Sequence, residues 1–407
     1  MYTGSSGWDF VAGDRQLTTP SFDTATFAPT DTAINIVPES LEGFPDTDFY
    51  GNPRLYAGGV TAAGAVSGRE AGQGPNGGTG NDIPGKPPQG TGIYIAGIYD
   101  ADDYTDVACY WKLDWNITAE NLAPQKLSDG SSSSWAADIA AGKNGIYVAG
   151  FYVSRDKTAC YWHDDGNTIV KKDLSVPQGA RYSEAFSVYL AADGLYFAGY
   201  VNIGTGNKAC YWDSKGDIHI LEDAGESYAR DIAVDSGGKI YIAGEKNFFT
   251  GCLWIADSDG IRVVELSNAS RAESIAIDSA KIYVGGRTAN EKACYWTVEN
   301  ETVTSSRVYS SSGTTSNVYG ITVNNSSVYC AGDDGGIACY WGPSGNKIFV
   351  RGNENDQRSR ALGIAVDSYD NIHIAEGAGY IKIVGGVGGT PYVTDLGGGL
   401  EAIVVVE

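Results

Sequence analysis

The chain has one methionine, three histidines and only 28 basic residues against 50 acidic ones, and each shortage removes a class of function. His163, His219 and His373 are scattered and no Cys-x-x-Cys pair occurs, so a structural zinc site is not expected and neither is any cofactor. A formal charge of −22 repels phosphate backbones and anionic lipid, which argues against a nucleic-acid partner. No apolar run approaches the roughly 20 residues of a membrane span, so no membrane insertion is expected. Met1-Tyr2-Thr3-Gly4-Ser5 has neither the basic start nor the apolar run of an export signal. The chain is expected to be extracellular or cell-surface with its signal absent from this sequence, and cytoplasmic in the alternative. No Ser-His-Asp set can be assembled and carboxylates are too common to single out a pair, so no catalytic residue is assigned.

What is abundant is glycine at 55, tyrosine at 26 and tryptophan at 9, a composition of turns and strand-favouring aromatics that predicts an all-β fold. The ruler of the chain is Ala159-Cys160-Tyr161-Trp162. It returns at 108–111, 209–212, 293–296 and 338–341, with an eroded copy at Gly251-Cys252-Leu253-Trp254. A second marker, the Gly that ends a Tyr-x-Ala-Gly segment, falls at Gly97, Gly150, Gly199, Gly244, Gly286 and Gly332, with Glu376 in that place in the seventh unit. Spacings of 42 to 53 residues suit four strands of about 5 to 6 residues with their turns.

Each unit resolves by alternation and turn chemistry. Strand A is an Ala-x-x-Ile-Ala-Val-Asp segment, as at 229–235. Strand B is the Tyr-x-Ala-Gly segment and strand C the Ala-Cys-Tyr-Trp segment. An Asp-Gly hairpin such as Asp164-Asp165-Gly166 leads to strand D. The first unit lacks strand A, while Leu400 to Val406 matches strand A and has nothing after it. The C-terminal strand is therefore expected to complete blade one, which removes an exposed sheet edge. The stretch 229–244 resembles the bacterial seven-bladed β-propeller repeat family over residues 92–407. That resemblance implies a fold and is nearly silent on function.

Six cysteines recur at equivalent places roughly 45 residues apart, too distant in neighbouring blades for the 4.4 to 6.8 Å Cα separation of a disulfide. They read as buried thiols packing as small hydrophobes. Asp257-Ser258-Asp259-Gly260 carries part of a calcium-loop signature but lacks its closing Glu, and reads as a plain hairpin.

Residues 1–67 do not carry the repeat and read as a β-rich segment. Asp48-Phe49-Tyr50-Gly51-Asn52-Pro53-Arg54 followed by Val60-Thr61-Ala62-Ala63-Gly64-Ala65-Val66 resembles the closing coils of bacterial parallel β-helix surface proteins. It departs from that pattern at Ala62 and Ser67. Residues 68–91, rich in Gly and Pro, read as a linker.

With A as the inner strand, the D-to-A and B-to-C loops share one face of the ring. That face carries Trp135, Arg181, Tyr182, Glu184, Tyr228, Arg230, Arg271, Glu273, Arg358 and Arg360 at the mouths of the A strands. Aromatics with Arg and Glu around a concave mouth suit binding, so Trp135, Arg181, Tyr182, Tyr228, Arg230, Arg271, Glu273, Arg358 and Arg360 are the candidate ligand residues. The expected function is a non-catalytic binding or adhesion module of an exported or cell-surface protein, a monomer taking a glycan or a protein. A carbohydrate-active enzyme, a polysaccharide lyase or glycoside hydrolase, is the alternative, and an intracellular scaffold the second.

Overall fold

A computed structural model describes residues 37–38, 56–57, 60–61 and 92–406, the last with breaks at 102–104, 114–122, 205, 222–224, 310–314, 351–358, 378, 389 and 397. The chain divides into two units, residues 1–86 and 87–407. In the first, the short strands Val37–Pro38, Tyr56–Ala57 and Val60–Thr61 pair antiparallel, Val37 opposite Thr61 and Ala57 opposite Val60. Antiparallel pairing gives the β-helix resemblance no support. The expected linker, 68–91, lies outside the described residues.

The second unit is a seven-bladed β-propeller, each blade a four-stranded antiparallel sheet. Its inner A strands are Ser134–Gly142, Ala180–Ala191, Ser227–Val234, Ala269–Asp278, Ser316–Asn324 and Ala361–Val366 in blades two to seven. Blade one takes its A strand from the C-terminus. Gly399–Val406 pairs with Gly92–Ala101, Ile403 opposite Ile95, as the incomplete first unit requires.

The Ala-Cys-Tyr-Trp strands fill the spaces between blades. On one face of strand C, Cys160 and Trp162 pack against Tyr94, Ala96 and Tyr110 of blade one. Ala159 and Tyr161, on the other, meet Val188, Phe197 and Cys210 of blade three. Trp111, Trp162, Trp212, Trp254, Trp296 and Trp341 are almost fully buried, and burial of each ring contributes about 1.5 to 3 kcal/mol. A second link joins the same neighbours. The N–H of the motif's Ala donates to a serine at the start of the next blade: Ala108 to Ser134 Oγ at 2.9 Å, Ala159 to Ser183 at 2.9 Å, Ala209 to Ser227 at 2.8 Å and Ala293 to Ser316 at 2.8 Å. These hydroxyls satisfy backbone donors that no strand reaches.

The strand-B glycines have a steric origin. A Cβ on Gly150 would stand 1.9 Å from the carbonyl oxygen of Trp135, and one on Gly199 2.0 Å from that of Glu184. Directly beside each close approach strand A bulges: Ala136 pairs with Gly150 and Asp138 with Ala149, leaving Ala137 unpaired. The same irregularity recurs in all seven A strands. In blade seven, where Glu376 replaces the glycine, strand A starts only at Ala361.

Candidate functional site

Seven bulges at one height form a ring of re-aimed side chains. A bulge turns an extra residue out of the ladder and so presents two consecutive residues to one side. Here they face a cavity of about 520 Å³ at the channel mouth. The unpaired residues are aromatic in Phe186 and Tyr319, apolar in Ala137 and Leu362, and charged in Arg230, Glu273 and Glu401; all seven line the cavity. The residues that follow them form a second belt with Asp138, Ser187, Asp231 and Ser274 on blades two to five. Blades six, seven and one have Gly320, Gly363 and Ala402 there, which widens that side.

Within the belt, Asp138 accepts from the backbone N–H of Ile139 and of Val188 on the next blade, both at 2.8 Å. Asp231 likewise accepts from Ile232 and from Ile275 on its next blade, again at 2.8 Å. Between them stands Ser187, whose Oγ lies 2.9 Å from Asp138 Oδ2 and 2.7 Å from Asp231 Oδ1. A hydroxyl carries one proton, so the second short contact needs a proton on a carboxyl. Burial, and then the nearby Asp231, push the Asp138 carboxyl up to about 7; burial also raises Asp231. Glu401 is pushed up to about 7 by burial, against the pull of Arg360.

Arg230 is the best-held cation of the mouth. Its Nη2 and Nε reach the two oxygens of the buried Glu245 at 2.6 and 3.2 Å, and its guanidinium lies 5.0 Å from the Phe186 ring and 5.1 Å from that of Tyr228. Glu273 is flanked by Arg271 at 3.6 Å and Arg230 at 3.9 Å and accepts from Asn317 Nδ2 at 3.3 Å. On blade two, Trp135 stacks on Phe151 with ring centroids 6.3 Å apart, and Lys157 covers Phe151 while donating to Glu184 at 2.7 Å. Tyr200 also donates to Glu184.

Of the residues expected from sequence, Trp135, Arg230 and Glu273 line the cavity. Tyr228, Arg271 and Arg360 stand behind them: Tyr228 under Arg230, Arg271 beside Glu273, and Arg360 stacked 5.5 Å from Tyr319. Arg181 is exposed and Tyr182 stands edge-on to Tyr200; neither lines the cavity. Arg358 lies outside the described residues. Sequence reasoning missed Asp138, Phe186, Ser187, Asp231, Tyr319 and Glu401. The signal was present, for these residues occupy the two variable positions inside an apolar frame, Ala-x-x-Ile around Asp138 and Asp231, Ala-x-x-Val around Phe186 and Ser187, Val-x-x-Ile around Tyr319 and Leu-x-x-Ile around Glu401.

Among the described residues no group of three His, Cys, Asp or Glu is placed to hold a metal ion. The Asp257–Gly260 hairpin, which carries only part of a calcium-loop signature, holds a cation of the protein: Asp257 takes both terminal nitrogens of Arg262, at 2.6 and 2.9 Å. Among the described residues no helix is long and apolar enough to cross a membrane.

No family model matches the chain, and no curated protein matches it. Solved structures with a similar fold include a catalytically inactive virginiamycin B lyase from Staphylococcus aureus with quinupristin, at 15% identity over 65% of this chain and 85% of that one, with a TM-score of 0.48. The periplasmic gluconolactonase of Pseudomonas aeruginosa is 9% identical over 78% of this chain and 99% of that one, TM-score 0.49. TolB from Acinetobacter baumannii is 10% identical over 62% of each chain, TM-score 0.42. All three are likenesses of fold alone.

Proposed function

We propose that the chain is a binding module that receives the end of a glycan in the bulge-lined cavity. The observation that carries this reading is the convergence of one irregularity from every blade on one concave site, with aromatic, acidic and basic side chains interleaved. A volume of about 520 Å³ falls in the range of roughly 300 to 1,000 Å³ of small-ligand sites. Sugar rings pack apolar faces on aromatics and offer hydroxyls to carboxylates and guanidinium groups. Trp135, Phe186 and Tyr319 supply the first, Glu273 and Arg230 the second. The concavity suits a terminal group better than the broad surface of a protein partner. The test is calorimetry of the propeller against a panel of oligosaccharides. Saturable binding weakened about tenfold or more by Trp135→Ala supports the reading. Absence of binding across the panel, or loss-free binding by both Trp135→Ala and Phe186→Ala, removes it.

One observation favours an enzyme instead. Asp138 and Asp231, joined through Ser187, are two carboxyls with one shifted toward neutrality, the arrangement general acid–base chemistry uses. Chromatography of the same oligosaccharides after incubation decides. Products that appear with the wild type and vanish with Asp138→Asn would establish turnover.

The cysteines do not oppose export. All seven are buried and none forms a disulfide, and burial raises the thiols of Cys109, Cys160, Cys210, Cys294, Cys330 and Cys339 above their ordinary range, with Cys330 pushed up to about 12. Such thiols are inert in an oxidising compartment. Fractionation of the source cells tests a location outside the cytoplasm.

A further inference from the structure

Arg271 and Arg287 stand directly opposite each other in the ladder between strands A and B of blade five. Residues so paired point to one face of the sheet, with Cβ atoms about 4.5 to 5.5 Å apart. Arg287 pairs in turn with Ala293, which packs against Val318 and Cys330 of blade six, so both arginines point toward that blade. Two guanidinium groups therefore lie side by side in a chain of net charge −22. Like charges in this relation destabilise a sheet, and the protein does little to relieve them. Arg271 lies 3.6 Å from Glu273 and Arg287 4.0 Å from Glu291, both beyond hydrogen-bond length. The Nε of each is buried with no hydrogen-bond partner among the described residues. Arg230, by contrast, is bonded to Glu245, Arg262 to Asp257 and Glu301, and Arg307 to the carbonyls of Pro343 and Ser344.

The pair is open to a ligand. Its side chains keep 36% and 23% of their surface exposed, and the Glu273 carboxylate beside Arg271 lines the cavity, which places the arginines at its rim. Each guanidinium offers forked N–H groups that match a carboxylate or a sulfate. An oxyanion between them turns the repulsion of two cations into attraction of both. Little is lost in exchange. Glu273 keeps Asn317 Nδ2 at 3.3 Å and Arg230 at 3.9 Å, and the exposed Glu291 returns to water. A neutral sugar leaves the two charges side by side and uncompensated. Resting on the glycan reading above, we propose that the ligand is an acidic sugar, its carboxylate or sulfate held between Arg271 and Arg287 at the rim and the end of the glycan in the cavity beside them.

The experiment is calorimetry on the full chain at pH 7 with four probes: a galacturonate disaccharide, a sulfated galactose disaccharide, the neutral galactose disaccharide and inorganic sulfate. The expected result is that an acidic disaccharide binds at least about tenfold tighter than the neutral one, and which of the two does so tells carboxylate from sulfate. Arg271→Gln and Arg287→Gln, each folded by circular dichroism, should remove that advantage. In the free protein Arg287→Gln relieves the like-charge pair, so its midpoint in urea should be unchanged or higher. A lower midpoint would make the arginines props of the fold and overturn the anion assignment. So would an advantage that survives both substitutions. Equal or tighter binding of the neutral disaccharide overturns the anion assignment and leaves the glycan reading standing. Sulfate bound by the wild type and not by Arg287→Gln, with no disaccharide bound, keeps the anion site and overturns the glycan reading. If none of the four binds, both fall.

Discussion

Asp138 shows how one side chain serves both architecture and chemistry. Its carboxyl ties blade two to blade three through Val188 and carries a pKa pushed up to about 7 by burial and Asp231. A carboxyl raised in the folded state holds its proton there at a pH where the unfolded chain, titrating near 4, has lost it. Its stabilising contribution is therefore full below about pH 4 and is lost as pH rises through 7. The melting temperature is expected to fall between pH 5 and pH 7.5, and Asp138→Asn should flatten that fall; an unchanged slope would count against the shared proton. The buried thiols give a second expectation at this scale. Ellman's reagent should find close to none of the seven cysteines in the native protein and all of them in denaturant. Rapid native labelling of even one would contradict the packing role. That role was legible in the repeat itself, since a thiol that returns beside every Trp must be packing. The Asp138–Ser187–Asp231 contact was not. It joins three blades, and a chain with 50 acidic residues hides any particular pair.

At the scale of the strand, the glycine that ends strand B and the bulge that shapes strand A are two sides of one contact. Gly150→Ala would press a methyl group against the Trp135 carbonyl, 1.9 Å away, with the Trp162 ring also close at 3.1 Å. The bulge must shift or the strands must part. Loss of more than about 2 kcal/mol in urea unfolding is expected, together with weakened ligand binding, since Trp135 and Ala137 flank the displaced backbone. Gly216→Ala is the control: its φ is +85° and nothing lies within 4 Å, so only the roughly 1 kcal/mol cost of the left-handed backbone applies and binding should stay intact. If both variants lose binding equally, the bulge is not what builds the site. Strand order, turn positions and the inner place of strand A were readable from Ala-x-x-Ile-Ala-Val-Asp and Tyr-x-Ala-Gly. The bulge was not, because alternation assigns every residue of a strand to one of two faces. An extra residue that breaks the alternation is set by the partner strand.

For the whole molecule, seven units and a C-terminal strand that closes the ring were legible, because Leu400 to Val406 matched strand A and the first unit lacked one. The height at which seven separate irregularities meet was not, since it depends on all the blades together. Removing residues 399–407 should therefore do two things. It uncovers the edge of Gly92–Ala101, which invites pairing with other chains, and it deletes Glu401. Light scattering is expected to show oligomers and urea unfolding a broadened transition; a monomer unfolding as sharply as the full chain would show that closure is dispensable.

The same closure sets an order of events. Blades two to seven are built from neighbours in sequence, and such local contacts form quickly. Blade one must wait for Gly399 to meet Ile98 across the length of the propeller, and the belt of the cavity stays one residue short until it does. During refolding, the return of ligand binding should lag the return of β-structure. The occupied site is then a timestamp for the last step of folding.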